Sequence, residues 1–200
     1  MTTTSKIFLR IAIVCFSLSA PHKQLTAHNE SNILCHEVNI APYTPANKQQ
    51  VLDLVFQDPL LFFAGSSVIA QGIMTAEQFT SEAKQEMENI FLDPLHIKQL
   101  LIKDGEIIGF VSFMETKEIV WIICLAITNK YRNKGYGKYL LTTTLQTIKE
   151  LWPAIAQVQL NVNAHNEVAR KLYVSAGFKI SPNQPPLFQF MKAIQYEKSY

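Results

Sequence analysis

The sequence predicts an α/β fold of the α+β type, a mixed and mostly antiparallel sheet of six to seven strands flanked by about four helices. Three observations carry that expectation. First, residues 119–127, Ile-Val-Trp-Ile-Ile-Cys-Leu-Ala-Ile, are apolar and rich in β-branched side chains, and Leu140, Leu141, Leu145, Ile148 and Leu151 recur behind them at helical spacing. A buried strand therefore feeds a helix through the short segment Arg132-Asn133-Lys134-Gly135-Tyr136-Gly137. Second, two apolar runs meet at Asp104-Gly105, a dipeptide suited to a two-residue hairpin turn. Third, residues 158–162 and 187–194 alternate apolar and polar side chains, the period of a strand.

The composition agrees with one such domain and a tail. The chain has 200 residues, 48% hydrophobic and 17% charged, which excludes a disordered polypeptide. Lys6, Arg10 and Lys23 against Glu30 account for the basic excess, and residues 37–200 hold 15 of the 18 basic and 15 of the 16 acidic side chains. A neutral domain of this kind gives no electrostatic reason to expect a nucleic-acid partner. Cys15, Cys35 and Cys124 lie far apart, and His22, His28, His36, His96 and His165 show no ligand spacing, so neither a disulfide framework nor a metal is expected. Cys124, inside the apolar run, reads as a small buried thiol.

Taken in order, residues 1–36 form an N-terminal extension. Lys6 and Arg10 precede the apolar residues 11–18, a signal-like segment too short for a stable membrane span. Residues 37–200 form the domain. Val38-Asn39-Ile40-Ala41 alternates as a first strand, and Ala46 to Phe56 carries Val51, Leu52, Leu54 and Val55 on a helical face until Asp58-Pro59 ends it. Residues 60–72 are apolar without a period and read as a loop or short helix covering part of a pocket. Thr75 is a helix cap, and the helix behind it reaches about Leu92 with its acids on a solvated face. Strands at 97–103 and 107–114 follow, and a second hairpin near Thr116-Lys117 leads into the run at 119–127. After Pro153 come the strand at 158–162 and a compact helix from Glu167 to Ala176. Gly177 supplies a left-handed stop, Phe178 begins another strand, and the alternating tail at 187–194 ends the pattern.

The glycines between strand and helix admit two readings. They make a tight turn, or they bare the unpaired amides of a helix N-terminus, where the helix dipole favours phosphate. A Walker A loop is excluded because Tyr139 follows Gly137-Lys138, and a dinucleotide fingerprint because position 140 is Leu.

Arg132-x-x-Gly135-x-Gly137, followed by Asn166-x-x-Ala169-x-x-Leu172-Tyr173-x-x-x-Gly177-Phe178, resembles the GNAT superfamily of acyl-CoA-dependent N-acyltransferases, and the order of elements from Glu37 onward is similar too. The resemblance implies acetyl-CoA as co-substrate, its diphosphate held by backbone amides of Arg132, Asn133, Lys134, Gly135, Tyr136, Gly137 and Lys138. It implies a pantetheine arm running beside Leu125, Ala126 and Ile127 where that strand splays from 158–162, much as a peptide adds to a sheet edge. Asn166 is explained by capping alone, and the resemblance adds a contact to the arm. Tyr173 is implied to be the general acid for the leaving thiolate. Glu115 and Glu118, near the hairpin, are candidates for the base, each also readable as a solvated charge, and His165 is a third. Many members carry proline where this chain has Asn129, which should leave the loop freer, and the Arg132 side chain should face phosphate or a structural carboxylate.

The expected function is acetyl transfer from acetyl-CoA to a primary amine of a small molecule or peptide, directly and without a covalent enzyme intermediate. The alternative is a catalytically silent acyl-CoA-binding or sensing module. A monomer or homodimer in the cytoplasm is expected, with export through the signal-like segment as the alternative.

Overall fold

The computed structural model describes residues 38–57, 75–116, 119–163, 165–182 and 193–200. The extension at 1–36, the apolar segment at 60–72, the turn at Lys117, Glu118 and most of the tail at 187–194 lie outside the described residues.

Strands β1 (Val38–Pro42), β2 (Ile97–Lys103), β3 (Glu106–Thr116), β4 (Ile119–Ile127), β5 (Gln157–Asn163), β6 (Lys179–Ile180) and β7 (Ala193–Ser199) form one seven-stranded sheet in the order β1-β2-β3-β4-β5-β7-β6. All neighbours are antiparallel except β4 and β5. That parallel pair is bridged by α3 (Tyr136–Leu151), as a crossover between parallel strands requires. The other helices are α1 (Lys48–Val55), entered through a 3₁₀ turn at Pro45–Asn47, α2 (Ala76–Leu92) and α4 (Glu167–Ser175). Among the described residues, the mixed sheet and four helices are the architecture that the sequence predicts.

Local chemistry sets most boundaries. Asp104 and Gly105 both adopt positive φ, +50° and +79°, so the β2–β3 hairpin closes in two residues. Thr75 caps α2 in a capping box, its hydroxyl accepting from Gln78 N at 3.2 Å while Gln78 Oε1 accepts from Thr75 N at 2.9 Å. The other end of α2 is stopped by Lys98, whose ammonium donates to the carbonyls of Ile90, Phe91 and Asp93 at 3.1, 3.1 and 2.8 Å. α4 closes on Gly177 at φ +86°, with Phe178 N donating back to Tyr173 O at 3.0 Å. The last described strand is Ala193–Ser199, which overlaps the expected alternation at 187–194 in Ala193 and Ile194. It lies between β5 and β6, and main-chain pairing along all of β5 holds it there.

The sheet has a core on each face. Leu101, Val111, Phe113, Val120 and Ile122 pack with Leu140, Leu141 and Ile148 of α3, and with Tyr173 and Phe178. Leu100, Phe110, Cys124 and Ala126 pack on the opposite face with Val51, Leu54 and Val55 of α1 and Met87, Ile90 and Phe91 of α2. Among the described residues no helix is long and apolar enough to cross a membrane.

Candidate active site

The site grows from the C-terminal half of β4. On one side β4 pairs with β3 throughout, Thr116↔Ile119 to Gly109↔Ile127. On the other it pairs with β5 only from Ile119↔Gln157 to Ile122↔Leu160. Residues 123–127 of β4 and 161–163 of β5 therefore face one another across a gap, while β5 stays paired with β7 as far as Asn163↔Ala193. The cause is local. Phe113 lies opposite Ile122 and Ser112 opposite Cys124, so Ile123 is an extra residue, a bulge that bends β4 away at the point where its pairing with β5 stops. The bulge also inverts the strand's alternation. Val120 and Ile122 face α3, whereas Cys124 and Ala126 face α1 and α2, and Leu125 and Ile127 return to the α3 side.

Beyond β4 a 3₁₀ turn at Asn129–Tyr131 leads into the glycine segment. Asn133 takes φ +59° and Gly135 φ +86°, and Gly135 is the N-cap of α3. A glycine cap has no side chain to accept from the first turn, and the first intrahelical bond of this end is Tyr139 N to Gly135 O at 3.0 Å. The amides of Tyr136, Gly137 and Lys138 thus have the orphan geometry of a helix N-terminus.

The two glycines differ in kind. Gly135 is required by its left-handed φ. Gly137 has no such φ, and a Cβ there would meet Leu172 Cδ2 at 3.5 Å and Ile127 Cγ1 at 3.8 Å, ordinary contact distances. Nothing among the described residues demands a glycine at Gly137, although it costs helix stability. Arg132 Nε donates to Ile127 O at 2.9 Å, a bond that ties its side chain to the end of β4. Asn129 donates its N–H to Gln57 Oε1 at 2.8 Å, a bond that a proline at this position could not make. Lys130 and Tyr131 both bond Glu106, at 2.7 and 3.0 Å, and Tyr131 packs edge-on against Tyr136.

Tyr173 is 6% exposed and packs edge-on against Phe178 in the α3-side core. Burial pushes its phenol pKa up, and the nearby Cys124 thiol adds to the shift. Burial raises the Cys124 thiol as well, and both groups keep their protons at neutral pH. Cys124 is therefore an inert buried thiol rather than a nucleophile.

Asn166 caps α4, its side-chain oxygen accepting from Ala169 N at 3.1 Å. Glu115 is half-buried opposite Val120, at the end of β4 where β5 is still paired, and Glu118 lies outside the described residues. His165 is exposed, and its N–H donates to Asn163 Oδ1 at 2.9 Å. Among the described residues no group of three His, Cys, Asp or Glu side chains gathers as metal ligands. Sequence reasoning missed the bulge at Ile123, because an unbroken apolar run contains no polar residue to mark a change of face. It also missed Gln57, for which no local signal exists.

Residues 68–178 match the family model described as the Acetyltransferase (GNAT) family. An uncharacterized N-acetyltransferase of Bacillus subtilis (strain 168), YycN, is 31% identical over 88 residues, 42% of this chain and 55% of that protein. An N-alpha-acetyltransferase of Sulfurisphaera tokodaii is 30% identical over 88 residues, 38% of this chain and 52% of that protein. The chain thus spans about half the length of the curated relatives it matches. Among solved structures, the PaiA N-acetyltransferase from Thermoplasma acidophilum in complex with coenzyme A superposes with a TM-score of 0.64 at 19% identity, over 82% of this chain and 99% of that one. At that identity the likeness concerns the fold alone.

Proposed function

The chain belongs to the acetyltransferase (GNAT) family, and from that premise we propose that it moves an acetyl group from acetyl-CoA directly to a primary amine of a small molecule or peptide. The observation that carries this reading is Gly137, a glycine that neither its own φ nor its neighbours require, at a helix N-terminus beside two open strand edges. A side chain there would stand between the first-turn amides and a phosphate group, which is the fit a diphosphate needs.

In this reading the amides from Arg132 to Lys138 hold the diphosphate, with the lysines of the segment adding positive charge. The unpaired edge at Leu125, Ala126 and Ile127 offers main-chain groups to the amide-bearing arm, as a sheet edge does to a peptide. The Asn166 oxygen is committed to capping, which leaves its NH₂ free to serve the arm. Acetyl-CoA supplies an activated thioester, and the chain supplies placement, charge and protons. A backbone N–H near Leu125 donates to the acetyl oxygen. Tyr173 holds a proton where the leaving sulfur needs one, and its buried phenol keeps that proton at neutral pH. Glu115 and Glu118 are the carboxylates assigned to receive the acceptor's proton, through water.

The test is thiol release from acetyl-CoA across a panel of primary amines, run beside calorimetric binding of CoA. Tyr173→Phe keeps the ring against Phe178 and removes the proton, so the rate should fall by roughly 10²–10⁴-fold with CoA affinity unchanged. An unchanged rate removes Tyr173 from the chemistry. Tight binding with no turnover on any amine would identify a silent acyl-CoA-binding module instead.

A further inference from the structure

Asn129 opens the 3₁₀ turn at Asn129–Tyr131, so its N–H has no partner within that turn. Proline would suit this position. Thr128 sits at φ −51°, ψ 136°, the extended conformation required before proline, and the first residue of a helical turn favours proline's fixed φ. This chain keeps an N–H instead, and that N–H finds Gln57 Oε1 at 2.8 Å, a side chain 72 residues earlier at the end of α1. β3 and β4 anchor the segment too: Thr128 N donates to Ile108 O at 2.9 Å, Lys130 and Tyr131 bond Glu106, and Arg132 Nε donates to Ile127 O. Gln57 adds a hold from the turn just beyond α1, and it does so at the residue from which the chain turns toward Gly135.

We infer that Gln57 is a positioning residue for the loop carrying Gly135 and Gly137, doing by a tertiary hydrogen bond what a proline at position 129 would do by restricting φ. This rests on the acetyl-CoA reading for its effect on activity, but not for its effect on the loop.

The test uses the full chain with Gln57→Ala, Gln57→Glu, Asn129→Pro and the Gln57→Ala/Asn129→Pro double variant. Hydrogen exchange of the amides from 130 to 137, measured without ligand, should speed up about two- to tenfold in Gln57→Ala, the worth of one neutral hydrogen bond. CoA affinity should fall by a similar factor, and KM for acetyl-CoA should rise with kcat nearly constant. Gln57→Glu retains an acceptor oxygen and should restore wild-type exchange and affinity. In the Asn129→Pro background, removing Gln57 should change neither. Unaltered loop exchange in Gln57→Ala, or an equal loss in the proline background, would overturn the assignment. A wild-type chain that binds no CoA would defeat the acetyl-transfer reading, and the exchange measurements would still decide the role of Gln57.

Discussion

Replacing Gly137 by alanine separates a glycine kept for the fold from one kept for a ligand. The added methyl lies 3.5 Å from Leu172 Cδ2 and 3.8 Å from Ile127 Cγ1, so it forms contacts without a clash. The residue is second in α3 and its φ is not left-handed, so alanine should remove backbone freedom from the unfolded chain. Helix propensity puts the gain at up to about 1 kcal/mol, and for a domain of this size that raises Tm by about 2–4 °C. The same methyl should cover the first-turn amides. Losing one charge-assisted hydrogen bond to phosphate, worth about 1.5–3 kcal/mol, weakens CoA by roughly 10- to 150-fold. The assays are thermal unfolding without ligand and calorimetric titration with CoA. Opposite signs are required, a chain at least as stable that binds worse. A destabilised variant would mean that the glycine serves the fold, and undiminished CoA affinity would mean that the amides face nothing.

Gly109→Ala should behave in the contrary way, because its Cβ would lie 2.8 Å from Ile127 Cδ1, 3.1 Å from Leu101 Cβ and 3.3 Å from Ala126 O. β3 would have to move from β4, at a cost of about 1–3 kcal/mol measured by urea unfolding. His96 should make stability depend on acid. It is 3% exposed, with Nδ1 3.1 Å from Ser112 Oγ and Nε2 3.8 Å from Asp93 Oδ2, and burial lowers its pKa to about 4. Above pH 6.5 neither folded nor unfolded chain protonates this ring, and stability is complete; between about 6.5 and 4 only the unfolded chain does, so roughly 3 kcal/mol drains away as pH falls. His96→Asn should be less stable at pH 7 and show a shallower slope across that window, and an equal slope would remove His96 as the cause.

What the sequence made legible was the chemistry that acts within a few residues. The Asp104-Gly105 turn, the caps at Thr75 and Asn166, the left-handed stop at Gly177 and the bounds of β2 and β4 all follow from side chains adjacent to the features they create. Pairings between distant segments were not legible. β7 enters between β5 and β6 through main-chain pairing with a strand well before it in the chain. The hydrogen bond from Asn129 to Gln57 spans 72 residues, and without it Asn129 reads as a loosened loop. His96 and Ser112 look like isolated polar residues until β2 and β3 pair and set one ring beside one hydroxyl.

The bulge at Ile123 connects the fold to the site most directly. With strict alternation, Cys124 and Ala126 would share the face of Val120 and Ile122, and Ile127 would point toward α1 and α2. One extra residue reverses this. It brings Ile127 under Gly137, where α3 and α4 meet the end of β4. It also bends β4 from β5 without breaking its ladder to β3, so the edge opens while the strand stays anchored. A straight β4 would stay bonded to β5 up to the glycine turn and close the gap. Deleting Ile123 should therefore cost more than one side chain's packing, because every residue of β4 beyond it would change face.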